Sequence, residues 1–270
     1  MSPVAKCKRI PVIAYINPLS ASGRTTLALH TALYLAQKSD IGRRILVIDF
    51  DAQGHTSTRL MKRLDLAGLP GTRTAELFET PSDPIQPLLT PSGCELIYSL
   101  AEDIQLYDIE SANSANAHLP ADNLAPLLGS GRYGAVILDC PGQKTRALAA
   151  AARLANHVVV PVAASAQLNA SNWLQQITSR LRRSGSNASV TGVVINKYLL
   201  TNARHQKFVA GLELDLGDLL LKQKIGLRSS FGTANANGHA VWDVRTGAHR
   251  LAAQEIQDVI REIISRVGLY

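Results

Sequence analysis

Cysteine is scarce in this chain: Cys7, Cys94 and Cys140 are the only three, they lie far apart, and none belongs to a C-x-x-C pair. That argues against a disulfide framework or a zinc site and fits a reducing compartment. Long apolar runs are missing as well. None approaches the roughly 20 residues needed to cross a bilayer, and the opening MSPVAKCKRI lacks the apolar stretch of a secretory signal. The expectation is a soluble cytoplasmic chain with no membrane partner. His157, His205, His239 and His249 are scattered without metal-ligand spacing. Acidic residues are outnumbered, 21 against 28 Lys and Arg, which leaves a formal net charge of +7. This excess suits a polyanionic partner such as nucleic acid, bound through counterion release. It suits an inert basic surface equally, because the charge is spread out and only short clusters such as Arg180, Arg182 and Arg183 stand out.

What is present is an alternation. Short aliphatic runs (PVIAYI near 11, RILVIDF near 44, CELIYSL near 94, GAVILDC near 134, HVVVPV near 157, SVTGVVIN near 189) are apolar at nearly every position, as strands covered on both faces must be. Helical patterns separate them, at Thr25 to Lys38, Lys144 to Ala155 and Ser171 to Arg183. The pattern predicts one α/β domain over residues 1–270, a doubly wound, mostly parallel sheet with helices on both faces and ligands at the carboxyl ends of the strands. Leu66 to Pro91, rich in Pro, Gly and Thr, reads as surface loops with one short helix, and Ser111 to Ala121 as an excursion. Ile256, Val259, Ile260, Ile263, Ile264 and Val267 fall at helical spacing before Gly268. Glu255, Asp258 and Glu262 dilute any basic face on that helix, so packing on the sheet is expected over a membrane-surface role.

The chemistry concentrates where strands end. NPLSASGRTT (Asn17 to Thr26) joins the first strand to a helix, the place for a phosphate-binding loop, since first-turn N–H groups and the helix dipole favour an anion. Against G-x-x-x-x-G-K-[ST], Gly23 and Thr25 match, while Pro18 and Arg24 stand at the other fixed positions. Alone, those ten residues read better as a strand turning into an ordinary capped helix. VIDFDAQGHTS then places Asp49 and Asp51 at the end of the second strand, and VILDCPG places Asp139 at the end of a later one. One such aspartate would be a helix cap. Three, facing a helix start that carries Thr25, fit a Mg²⁺–nucleotide site, because magnesium prefers hard oxygen ligands.

With these motifs in view, the sequence resembles the ParA/MinD family of deviant Walker ATPases, whose loop reads K-G-G-x-G-K-[ST]-T and whose second strand runs into D-x-D-P-Q-G. NPLSASGRTT, IDFDAQGHTS, YGAVILDCPG, VVVPVAAS, GVVINKY and IGLRSSFGTANANGHAVWD lie in the family's order over most of the chain. The resemblance implies a P-loop switch that binds ATP and Mg²⁺, dimerises, associates with non-specific DNA and answers to a ParB-like or other adaptor protein, in a bacterial cytoplasm on nucleoid or plasmid. It implies Ser22, Gly23, Arg24, Thr25 and Thr26 on the phosphates, Asn196 on the base, Thr25, Asp49 and Asp139 around the metal, and Asp51 orienting the attacking water. Arg180, Arg182, Arg183 and Arg245 are the candidate DNA contacts.

The departures set the functional expectation. The family's signature lysine is Leu19, its two loop glycines are Ser20 and Ala21, and its second lysine is Arg24. A Cβ restricts φ > 0, and a guanidinium fork does not occupy the place of a compact ammonium. The leading expectation is a DNA segregation or positioning protein working by nucleotide-regulated or constitutive DNA association, with weak or absent hydrolysis. The alternatives are an active ATPase that tolerates the altered loop, and a nucleotide-free pseudo-ATPase that scaffolds a protein partner.

Overall fold

The computed structural model describes residues 10–38, 42–80, 83–111, 117–142, 145–166 and 170–269. Cys7 and Lys144 fall outside them, as does the middle of the excursion expected at Ser111 to Ala121. Seven strands form one sheet: β1 (Val12–Tyr15), β2 (Arg44–Asp49), β3 (Leu88–Leu89), β4 (Glu95–Ile97), β5 (Tyr133–Asp139), β6 (His157–Ala163) and β7 (Ser189–Asn196), in the order β3-β4-β2-β5-β1-β6-β7. All pairings are parallel except β3 with β4. The strands are apolar throughout because helices cover both faces.

On one face lie α3 (Ile104–Ser111), α4 (Leu119–Gly129), α5 (Arg146–Leu154), α6 (Ala170–Arg183) and α7 (Ala203–Leu216), which contribute Leu106, Leu124, Ala151, Ile177 and Leu212 to one core. On the other lie α1 (Arg24–Ala36), α2 (His55–Met61), α8 (Ser229–Ala236) and α9 (Gly247–Arg266), which contribute Leu29, Leu60, Ala234 and Ile260. The whole apolar stripe of α9 is buried against α1, α8 and β7, so this helix packs on the sheet as its spacing predicted. Gly268, at φ 71, ends it. Among the described residues, no helix is long and apolar enough to cross a membrane. The described residues of the loop-rich 66–91 segment include the 3-10 turn Ala75–Phe78 and the edge strand β3.

This architecture brings the site together. In the sheet, β5 lies between β1 and β2, with Tyr15 level with Asp139 and Asp139 level with Asp49. Residues far apart in sequence therefore meet at one carboxyl edge.

Candidate functional site

The loop from Asn17 to Gly23 is tied down at both ends. Asn17 Nδ2 donates to Pro161 O at 2.6 Å, and its Oδ1 accepts from Leu19 N at 2.9 Å. At the far end Asn196 Nδ2 donates to Ser22 O at 2.8 Å, while Asn196 Oδ1 accepts from Lys197 N at 2.8 Å. Gly23 then enters α1 at φ 100, where a Cβ would collide with the Asn196 amide. Ala21 also has positive φ, 54°. A non-glycine residue thus holds a left-handed conformation in this loop, with the strain carried by Ala21.

The helix that follows has no side-chain N-cap and no acidic residue in its first turn. The ordinary capped helix that these ten residues suggested is therefore not what forms. Its first-turn N–H groups lack a capping side chain, as at an anion site. Arg24 turns back into the loop: Nη1 donates to Asn17 O at 2.7 Å and Leu19 O at 2.8 Å, and Nε donates to Cys140 O at 3.0 Å. Its Nη2 lies so close to Gly142 that a Cβ there would stand 2.7 Å away. The guanidinium is a brace between the loop and the end of β5.

Asp49 and Asp139 are both fully buried. Asp49 Oδ2 accepts from Ser57 N at 2.9 Å and Ser57 Oγ at 2.7 Å, and Oδ1 accepts from Asp51 N at 3.2 Å. Asp139 Oδ2 accepts from Thr56 Oγ1 at 2.7 Å, while its Oδ1 is buried without a hydrogen-bond partner. Burial, then the charges of Asp139 and Asp51, push Asp49 well above the usual carboxylate range. Burial, then Asp51, pushes Asp139 up to about 6, against the pull of Thr56, Thr25 and Arg24. Two buried acids held this close, one with an unused oxygen, form a site that favours a cation. Asp51 is half-buried and its Oδ1 accepts from Gln53 N at 3.0 Å. Among the described residues, no cluster of three or more His, Cys, Asp or Glu side chains is arranged to hold a metal by itself. A cation here would share oxygens from a hydroxyl and a ligand, the habit of magnesium.

Beside the loop opens a cavity of about 350 Å³, lined by Ala21 to Thr26, His55, Arg59, Asn196, Lys197 and, from the segment entering and forming α8, residues 226–228, 231, 232 and 235. The family model described as an AAA domain, AAA_31, matches residues 10–190, which span the loop and both aspartate-bearing strands. The chain belongs to this family. Within it the relatives are of ParA/MinD type. The chain is 24% identical to Protein IncC of Escherichia coli, over 92% of this chain and 67% of that protein. It is 25% identical to the chromosome-partitioning ATPase Soj of Thermus thermophilus, over 96% and 98%. Among solved structures, the ATP complex of Cyanothece McdA superposes with a TM-score of 0.76 at 18% identity, covering 97% of each chain. That likeness speaks for the ParA/MinD fold.

In this AAA_31 chain the structure gathers Ser22, Gly23, Arg24, Thr25, Thr26, Asn196, Asp49, Asp51 and Asp139 at one end of the sheet. The four arginines expected on DNA are not gathered. Arg180, Arg182 and Arg183 end α6 on one layer, whereas Arg245 precedes α9 on the other. Sequence reasoning also passed over Asn17, Thr56, Ser57 and Arg59. Thr56 and Ser57 were open to recognition as hydroxyls directly after the D-x-D turn. Nothing in the local pattern marks Arg59.

Proposed function

We propose that the chain is a ParA-like DNA segregation or positioning protein that binds ATP with Mg²⁺, associates with DNA without sequence preference, and hydrolyses nucleotide weakly or not at all. The observation that carries this reading is the uncapped start of α1 opposite the unpartnered Asp139 Oδ1. One side suits phosphate and the other suits the cation that accompanies it.

Thr25 and Asp139 are the residues that would hold magnesium, with Asp49 fixing Ser57 and the D-x-D turn behind them. Bound there, the ion would supply positive charge to the phosphate oxygens. Residues 23–26 present main-chain N–H groups to the same anion, and Asn196 braces the loop so that they keep their direction. Asp51, half-buried beside Asp49, would orient water. The loop itself offers little free positive charge for transfer: Leu19 has none, and the Nε and Nη1 donors of Arg24 are engaged by main-chain carbonyls. Preorganised charge stabilisation is the main source of phosphoryl-transfer rate, so this arrangement supports binding over turnover.

A solved plasmid partition protein of Borrelia burgdorferi, bound to AMPPNP, superposes with a TM-score of 0.76 at 16% identity, over 96% of this chain and all of that one. That protein and the chromosome-partitioning ATPase Soj support assignment to partition. By the same reading the partners are DNA, a second copy of the chain and a ParB-like or other adaptor. Calorimetric titration with ATP and Mg²⁺, paired with phosphate release at saturating DNA, tests the proposal. Micromolar binding with negligible release is expected. Brisk release that Asp51→Ala abolishes would establish the active ATPase instead, and a flat titration with ATP and ADP would establish the nucleotide-free scaffold.

A further inference from the structure

Cations line the cavity beside the loop, and no carboxylate does. Arg24, Arg59, Lys197 and Arg228 all border it, and their other commitments separate them. Arg24 braces the loop through main-chain carbonyls. Arg228 forks onto Glu255, with Nε at 2.8 Å and Nη2 at 2.6 Å from its two oxygens. The Arg59 guanidinium makes no hydrogen bond and no ion pair among the described residues, its only bond outside the helix ladder being main-chain, Lys62 N to Arg59 O at 3.2 Å. It stands on α2, the helix that follows the D-x-D turn directly, and is half-buried. Burial weighs against its charge, while Asp139 and Asp49 favour that charge through space without touching it.

A guanidinium offers five N–H donors in one plane and cannot shed its proton. Holding it half out of water beside an open cavity costs stability that the aspartates offset only through space, and that an anion entering the cavity would recover by direct contact. The planar fork matches phosphate oxygens two at a time.

We infer that Arg59 is an anion-binding residue of this cavity, supplied from α2 of the same chain, which takes phosphate groups of a nucleoside di- or triphosphate and provides the charge that Leu19 does not. The inference rests on the reading of the cavity as a nucleotide site. Because Arg59 follows Asp49, Asp51, Thr56 and Ser57 in one continuous segment, phosphate held by Arg59 also fixes that segment against the loop. Lys197, which borders the same cavity and has no ion pair among the described residues, serves as the comparison.

The test is calorimetric titration of the full chain with pyrophosphate, ADP and ATP, each with Mg²⁺, alongside thermal melting without ligand. Arg59→Ala should weaken all three ligands by about tenfold or more, the scale of a lost charge-assisted contact. Arg59→Lys should recover part of the loss, and Lys197→Ala should cost less than Arg59→Ala. Ligand-free Arg59→Met should melt at or above the temperature of the unmodified protein, because it removes an unpaired charge. Affinities of Arg59→Ala within twofold of the unmodified protein would overturn the inference and leave the nucleotide reading standing. Melting of ligand-free Arg59→Met several degrees lower would also overturn it, since Arg59 would then be a structural counter-charge for the aspartates. If the unmodified protein binds none of the three ligands, the nucleotide reading fails and the inference with it.

Discussion

Arg24 differs from a lysine at the same place in how many neighbours it can hold at once. Its fork reaches Asn17 O, Leu19 O and Cys140 O together, and an ammonium on a flexible stem cannot span them. Arg24→Lys should therefore lower stability by about 1–3 kcal/mol, seen as a fall in chemical-denaturation midpoint, and should raise phosphate release only when Leu19→Lys accompanies it. Ala21 is a separate matter. It already adopts φ 54, so Ala21→Gly should stabilise the protein by about 1 kcal/mol and add little to turnover. A large gain in turnover from that change alone would show that the backbone had been obstructed after all. The buried acids give a pH dependence. Asp139 is raised from an ordinary 3.8 to about 6, so between those values the folded chain holds the proton that the unfolded chain has released. Its contribution to stability is complete below about pH 4 and is lost as pH rises through about 6. Asp139→Asn keeps an acceptor for Thr56 and removes the charge. Relative to the unmodified protein, its melting temperature should climb across that window, and a constant difference would contradict the assignment.

At the scale of elements, the strands and the long helices were legible because burial on two faces leaves no room for polar residues. Periodicity gave α9 for the same reason, its stripe being set by what the helix touches. The expected helices at Thr25 to Lys38 and Ser171 to Arg183 begin one residue earlier in the structure, at Arg24 and Ala170, and the first ends two earlier, at Ala36. Legibility fell where the decisive partner is remote in sequence. Asn196 reads as a base contact by resemblance, yet its amide spans Ser22 O and Lys197 N, a tie across 174 residues that no local pattern announces. The brace formed by Arg24 and the half-buried position of Arg59 are tertiary facts of the same kind. The two roles open to Asn196 separate by experiment. As a brace for the loop, Asn196→Ala should weaken pyrophosphate and ATP by similar factors. A loss confined to ATP would make it a base contact.

Taken whole, the molecule carries its excess positive charge on both layers of the sandwich. Arg180, Arg182 and Arg183 stand at the carboxyl end of α6, where the helix dipole already favours cations, and Arg245 is exposed on the opposite layer. One flat stretch of duplex cannot readily engage both in a single copy. DNA affinity should fall steeply with salt, and replacing the three α6 arginines by alanine should reduce the log–log salt slope by about 3, while Arg245→Ala leaves it unchanged. Equal losses from both sites would point to two copies presenting different layers. No binding at low salt in any nucleotide state would remove DNA from the partners.

The placing of β5 between β1 and β2 has a consequence for synthesis. β1 and β2 emerge from the ribosome first, yet neither lies beside the other. The strand that joins them ends at Asp139, so β1 and the β5-facing edge of β2 stay uncovered until the middle is made, while β4 can already pair with the other edge of β2. Because loop closure over such spans is slow, the phosphate loop and the D-x-D turn acquire their final spacing late. A nascent chain stalled before Tyr133 should be open to protease throughout β1, whose two neighbours are both still unmade, and one stalled with β5 and β6 clear of the exit tunnel should be protected there.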